Sequence, residues 1–251
     1  MDLGLKDKNA IVTGGSKGIG RCTALLLAAE GANVAICARG QKALDATCAA
    51  IEAAGVKAYG SICDVGDAAS LDAFLDGAHD ALGGTDILIN NTSGFGMTDD
   101  EAGWKVSIDV DLMGSVRATQ KVVPWMESAG GGSIVHISSI SGLRAGDPPA
   151  YSTVKVALVT HAKTMAQELA PKNIRVNSIA PGSIFFEGGF WDVVQQNDRE
   201  MYDAVVSTIP FGRMGTPNEV ADAIVFVASP RANWISGVTI VVDGVQNKGI
   251  F

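Results

Sequence analysis

Tyr151 and Lys155 stand four residues apart in the stretch Tyr-Ser-Thr-Val-Lys. If that stretch is helical, the phenol and the ammonium share one face, and Val154 to Leu169 carries the apolar periodicity of a helix. A tyrosine keeps its proton to a pH of about 10, and a neighbouring cation favours the phenolate and brings proton transfer into reach. The pair is therefore a candidate acid/base device. On an exposed helix face the same two residues would be only solvated surface, so the elements that position them must decide.

Those elements alternate. Asn9 to Thr13 is a short apolar run, and it leads through Gly14-Gly15-Ser16-Lys17-Gly18-Ile19-Gly20 into the helical pattern Arg21 to Glu30. Strand, glycine-rich turn and helix in that order suit a pyrophosphate. Glycines let the backbone turn tightly and approach a ligand, while the helix start offers unpaired N–H groups. A second buried strand, Asn33 to Ala38, precedes a helix from Gln41 to Ala54. Further strands are expected at about 57–63, 85–90, 132–138, 174–180 and 238–242. Helices are expected between them at about 67–82, 101–128, 151–169 and 217–228. Near-continuous apolar strands alternating with helices predict an α/β fold of the Rossmann type. Its core would be a doubly wound, seven-stranded parallel sheet flanked by helices. No linker or repeat divides the chain, so residues 1–251 read as a single dinucleotide-binding and catalytic domain.

In such sheets ligands bind beyond the carboxyl ends of the strands. There the sequence places Asn90-Asn91-Thr92-Ser93-Gly94, Ser138-Ser139-Ile140-Ser141-Gly142, and Pro181-Gly182 followed by a long segment to Thr216. Each could be an ordinary turn, but together with the glycine turn they line one edge.

Composition narrows the partners. Of 251 residues 47% are hydrophobic, and a formal charge of −8 without a Lys/Arg cluster argues against nucleic acid or anionic membrane. No long apolar run and no apolar leader near Met1 is present, which gives the expectation of a cytoplasmic protein. Cys22, Cys37, Cys48 and Cys63 lack a Cys-x-x-Cys pair and read as buried free thiols. His79, His136 and His161 show no ligand spacing, so no metal is expected.

The chain resembles the short-chain dehydrogenase/reductase family over nearly its whole length. The resemblance rests on Thr13-Gly14-x-x-x-Gly18-x-Gly20, Asp64, Asn90-Asn91-x-x-Gly94, the serines before Gly142, Tyr151-x-x-x-Lys155, Pro181-Gly182 and Val242-Asp243-Gly244. It implies hydride transfer between a nicotinamide cofactor and a ketone or secondary alcohol. Tyr151 would act as general acid or base, a serine would hydrogen-bond the substrate oxygen, and Lys155 would bind the nicotinamide ribose and favour the phenolate. The serine is Ser139 by its spacing to Gly142 and Ser138 by the commonest spacing to the tyrosine; Ser139 is preferred. The family's catalytic asparagine falls on Asp111, a departure that leaves proton relay in place but predicts an altered pH profile. The resemblance also implies a cofactor site of Gly14, Ser16, Lys17, Gly18, Ile19, Gly20, Arg39, Asp64, Val65, Asn91, Tyr151, Lys155, Pro181, Gly182 and Ile184.

NAD sites of this kind carry an acid about 20 residues beyond the glycine turn, and NADP sites a basic residue. From Gly31 to Leu44 there is no acid, Arg39 follows the second strand, and Lys17 lies within the turn, so NADP(H) is predicted over NAD(H). Ser183 to Trp191 is the richest aromatic cluster. Phe186, Phe190 and Trp191, with Phe95, Ser139 and Tyr151, suggest an apolar substrate wall, and residues 183–216 a lid with glycine hinges. Packing of the same aromatics onto the body is the alternative. Relatives that reduce 3-oxoacyl groups on acyl carrier protein need a basic docking face. Here 126–133 is neutral to acidic and Lys172 is the main basic candidate left, so a free small-molecule ketone or alcohol is preferred. A non-catalytic NADP-binding sensor would have no need of Tyr151 and Lys155. Relatives associate usually as tetramers, which implies a homotetramer or homodimer, with Lys248 to Phe251 as a docking tail.

Overall fold

The computed structural model describes residues 1–249; Ile250 and Phe251, at the end of the expected docking tail, lie outside the described residues. Seven parallel strands form one sheet in the order β3-β2-β1-β4-β5-β6-β7. They are β1 (Asn9–Val12), β2 (Asn33–Ala38), β3 (Ala58–Ile62), β4 (Ile87–Asn90), β5 (Gly132–Ile137), β6 (Ile174–Pro181) and β7 (Thr239–Val242). The order reverses between β1 and β4, and at that point the carboxyl ends of the strands open a crevice.

Residue alternation along the strands builds two cores. Ala10, Val12, Val34, Ile36, Ile87 and Ile89 face α1 (Gly18–Ala29), α2 (Gln41–Glu52) and α9 (Pro217–Ala228), through Leu27, Leu44 and Ile224. Ile11, Ala35, Leu88, Ile134 and Val176 face the other side. There Phe74 of α3 (Ala68–Leu82), Val122 of α5 (Gly114–Ser128) and Ala162 of α6 (Pro149–Leu169) cover them. Register ties the layers together, with Ile11 opposite Ala35 and Leu88, and Leu88 opposite Ile134. Each fully buried Leu or Ile contributes roughly 1.5–3 kcal/mol of transfer free energy, so both faces must stay covered. No described helix is long and apolar enough to cross a membrane.

Three local departures from the sequence reading matter for the site. The helix expected over 101–128 is broken into α4 (Glu101–Val106), a π-helical segment Ser107–Met113, and α5. Such a wide turn often marks a functional position, and Asp111 sits within it. Helix α6 starts at Pro149, where the missing N–H leaves no helix bond unmade. The segment 183–216 contains two further helices, α7 (Phe190–Asn197) and α8 (Arg199–Ser207). Its base is clamped where Phe185 N–H donates to the Gly215 carbonyl (2.9 Å) and Gly215 N–H to that of Ser183 (3.0 Å). The thiols differ too: Cys37 and Cys63 are buried, but Cys22 and Cys48 are only half-buried, because they sit where α1 and α2 meet solvent.

Candidate active site

One cleft of about 1150 Å³ runs along the carboxyl edge of the sheet and receives nearly every residue singled out from the sequence. Its first half is made mostly of backbone. Gly14 and Gly18 adopt left-handed conformations (φ 67° and 56°), which glycine reaches without strain. A Cβ at Gly20 would strike the Gly14 carbonyl and the Asn91 side chain, so the turn closes only with glycine there. Helix α1 then begins at Gly18 without a side-chain cap, which leaves its first N–H groups free at the cleft. Thr13 Oγ1 accepts from the N–H groups of Asn91 (3.0 Å) and Thr92 (3.3 Å). Asn91 Nδ2 in turn donates to the Thr13 and Gly14 carbonyls at 3.0 and 3.1 Å. Asn91 thus braces the turn from β4, although it also lines the cleft. Lys17 and Arg39 are exposed at the rim, and Ser16, Ile19, Asp64, Val65, Pro181, Gly182 and Ile184 complete the wall.

The central part holds the ionisable groups. Lys155 is buried, and its ammonium donates to the Ile137 carbonyl and pairs with Asp111 Oδ1, each at 3.0 Å. Two of its three N–H bonds are thereby engaged, and the third remains for the cleft. Burial alone would lower the Lys155 pKa, but the Asp111 charge, the charge of Tyr151 as phenolate and the hydrogen bond to Asp111 outweigh it and hold it above the usual lysine value. Asp111 is fully buried and accepts also from Ser93 Oγ (2.6 Å) and the Gly94 N–H (2.7 Å). Lys155 Nζ lies 5.4 Å from the centre of the half-buried Tyr151 ring. Behind it, His136 Nδ1 accepts from Asn90 Nδ2 (3.1 Å) and its Nε2–H donates to His161 Nδ1 (3.0 Å), and burial, His161 and Lys155 push its pKa down to about 3, so it stays neutral.

The two serines have different surroundings. Ser138 Oγ donates to the Lys155 carbonyl at 2.7 Å, which ties β5 to α6. Ser139 Oγ only accepts, from the Ser141 N–H at 3.1 Å, and keeps its proton for the cleft. Gly142 lets this loop lie on α6, since a Cβ there would come within 2.7 Å of the Val156 nitrogen.

The remaining half is made of side chains. Phe95 stacks on Tyr151 (centroids 6.0 Å, planes 12° apart) and on Phe190 (6.1 Å, 14°), and Phe190 meets Trp191 edge-on at 5.1 Å. Phe186 lies elsewhere: its ring covers Gly18, where a Cβ would approach it to 2.7 Å, on the glycine-turn side of the cleft. Arg144 forks onto Asp147 (2.7 and 3.2 Å). The sequence reading missed Ser93 as a partner of Asp111, and it missed Gln246. Gln246 is buried and bonds both the N–H (2.8 Å) and the hydroxyl (3.0 Å) of Ser183, joining the C-terminal loop to the base of the segment 183–216. Its only sequence signal was its closeness to Val242-Asp243-Gly244.

A doubly wound sheet with a glycine turn, and a tyrosine beside a buried lysine in the same cleft, defines an oxidoreductase of carbonyl and alcohol groups. The chain belongs to the short-chain dehydrogenase/reductase family, and residues 14–244 match the family described as enoyl-(acyl carrier protein) reductase. It is 33% identical to isoepoxydon dehydrogenase of Penicillium expansum, covering 99% of this chain and 98% of the relative. It is 35% identical to a 3-oxoacyl-[acyl-carrier-protein] reductase of Thermotoga maritima, covering 96% and 98%. Among solved structures, L-sorbose reductase of Gluconobacter frateurii complexed with NADPH and L-sorbose superposes with a TM-score of 0.91 at 32% identity, over all of both chains. A 7α-hydroxysteroid dehydrogenase complexed with NADH and 7-oxo glycochenodeoxycholic acid gives 0.91 at 31%, covering 100% and 98%.

Proposed function

We propose that this enzyme moves a hydride between NADP(H) and a free ketone or secondary alcohol of apolar or aromatic character. Tyr151, Lys155 and Ser139 would carry the proton chemistry. The observation that carries this reading is the buried Lys155 ammonium, held by Asp111 and the Ile137 carbonyl, 5.4 Å from the Tyr151 ring in the cleft that also contains the glycine turn. The residues present fit a dinucleotide: free N–H groups open α1, two left-handed glycines shape the turn, and a Cβ at Gly20 would close it. When bound there, the nicotinamide gives or takes the hydride. In reduction Tyr151 donates its proton to the carbonyl oxygen, and in oxidation it removes the alcohol proton. The Ser139 hydroxyl donates to the same oxygen as charge develops on it. Lys155 offers its third N–H to the cleft and keeps a positive charge beside the phenol.

The preference for NADP(H) rests on Lys17 and Arg39 at the rim and on the acid-free stretch from Gly31 to Leu44. Relatives complexed with NADPH and with NADH both exist, so the basic pair of this chain is what favours the phosphate. We read residues 1–251 as one domain and 183–216 as its lid, clamped at Ile184 and Gly215. A homotetramer or homodimer is supported by the apolar surface beside the edge strand β7, where Trp234 is fully exposed and Val238, Val241 and Val245 are exposed.

A second reading, reduction of 3-oxoacyl groups on acyl carrier protein, draws on the 35% identical relative. Against it, Lys172 is paired with Glu127 at 3.0 Å, which leaves 126–133 without a free cation for an acidic carrier. The test is a panel of ketones and one 3-oxoacyl carrier thioester, each assayed with NADPH and with NADH. Faster turnover of apolar or aryl ketones with NADPH is expected. Faster turnover of the thioester favours the second reading, equal efficiency with both cofactors removes the NADP preference, and binding without turnover leaves only a cofactor sensor.

A further inference from the structure

Asp111 is a charged, buried neighbour of the central lysine. Its carboxylate is fully buried and receives three donors: Lys155 Nζ at 3.0 Å, Ser93 Oγ at 2.6 Å and the Gly94 N–H at 2.7 Å. Its backbone carbonyl is engaged separately, because Ser115 Oγ donates to it at 2.8 Å. Asp111 lies in the widened turn Ser107–Met113, and its side chain is the part that contacts Lys155. Ser93 also accepts from the Phe95 N–H at 3.3 Å and lines the cleft, so it joins the buried ion pair to the site's open side.

We propose that Ser93 and Asp111 are positioning residues that act as one unit through Lys155, holding it as an oriented ammonium and setting the pH range in which the tyrosine–lysine pair works. The proposal rests on the role of Tyr151 given above. Charge-assisted hydrogen bonds to a carboxylate are short and strong, and the 2.6 Å contact from Ser93 fixes which oxygen faces Lys155. An anion in a buried setting raises the proton affinity of every neighbouring ionisable group. The groups around Lys155 and Asp111 are Tyr151 on the same helix, His136 on β5 and, beyond it, His161 on α6. His136 is neutral, which leaves Asp111 as the charge opposing Lys155.

Removing the anion therefore moves both limbs of the oxidation profile in one direction. The rising limb, which needs the phenolate, and the alkaline limb, which needs the ammonium, both shift to lower pH. For Asp111→Asn we expect a displacement of about one pH unit. Ultraviolet titration of tyrosinate reads the first limb without any substrate, as the difference between each protein and its Tyr151→Phe counterpart. The alcohol turned over fastest in the panel reads both limbs. Ser93→Ala should lower kcat about 5-fold with cofactor KM within about 2-fold, and Ser93→Thr should restore it. In the Asp111→Asn background Ser93→Ala should cost less than about 2-fold, because the charge that the Ser93 hydroxyl orients has gone. Overlaid titrations, or an equal Ser93→Ala cost in both backgrounds, would overturn the proposal. Should Asp111→Asn fail to fold, the Ser93→Ala and Ser93→Thr pair carries the test, and an Ala variant as active as the parent rejects it. Activity retained in Tyr151→Phe instead removes the underlying reading and is seen independently.

Discussion

The two ends of the cleft are built from different material. At the glycine turn, conformation does the shaping: left-handed Gly14 and Gly18, a Gly20 with no room for a Cβ, and Asn91 bonded to two carbonyls. At the aromatic end, side chains do it, with the Phe190 ring meeting both Phe95 and Trp191. A site made of backbone constrains sequence locally, since glycine or a bracing amide is needed at fixed positions. A site made of rings constrains mainly volume and flatness, which many sequences satisfy. Variants should therefore divide cleanly, those at one end moving cofactor constants and those at the other moving ketone constants.

The largest expected effect lies where the ends meet. Tyr151→Phe keeps the ring that stacks on Phe95 and removes only the acid/base proton, so kcat should fall roughly 10³-fold. Fluorescence titration should give a cofactor Kd within about 2-fold of the parent, because one hydroxyl is a small part of that end. A large loss of cofactor affinity would mean that Tyr151 belongs to the dinucleotide cradle as much as to the chemistry.

Next come the serines. Ser139→Ala removes the hydroxyl proton left free for the cleft and should cost about 10²-fold in kcat. Ser138→Ala removes a bond to the Lys155 carbonyl. It should cost about 1–2 kcal/mol of stability, measured by denaturant titration, with turnover within about 5-fold. Near-normal turnover for Ser139→Ala together with loss for Ser138→Ala would reverse the assignment.

The same contrast governs what could be read before the fold was seen. The alternation of strands and helices, the glycine turn and the Tyr151/Lys155 pair are legible because each depends on spacing within one element or on residues with special backbone freedom. Spacing to Gly142 favours Ser139, but the different surroundings of the two serines exist only in space, where the Lys155 carbonyl takes the Ser138 hydroxyl. Ser93 and Asp111 are 18 residues apart, and only the π-helical turn brings them within 2.6 Å. Periodicity predicted one unbroken helix there, because a single wide turn hardly disturbs the apolar pattern. Phe186 illustrates the limit at the aromatic end: sequence nearness groups it with Phe190, yet its ring rests on Gly18.

One place at the backbone-built end does depend on side chains. Lys17 and Arg39 line the rim without narrowing the turn, so replacing both by alanine should leave NADH use nearly unchanged. The ratio of kcat/KM for NADPH to that for NADH should fall about tenfold, as expected for losing two charged contacts to one phosphate. A proportional loss with both cofactors would place the pair on the pyrophosphate instead, and cofactor choice would need another source.

The smallest effect is the sharpest test of the division. Phe95 is 52% exposed, with a backbone φ of 51° that a bulky residue rarely adopts, so its conformation is held by its neighbours rather than by preference. Its two stacked partners, at 6.0 and 6.1 Å, are each worth about 0.5–1.5 kcal/mol, and they join helix α7 to Tyr151. Phe95→Ala should raise KM for an apolar ketone about 5-fold, with cofactor KM and the pH optimum unchanged. Phe95→Gly should match it in KM yet be the more stable of the two, because glycine accepts the left-handed backbone without strain. If cofactor KM moves instead of ketone KM, the aromatic stack is holding the lid over the dinucleotide rather than forming a wall for the substrate, and the two ends of the cleft are mechanically one.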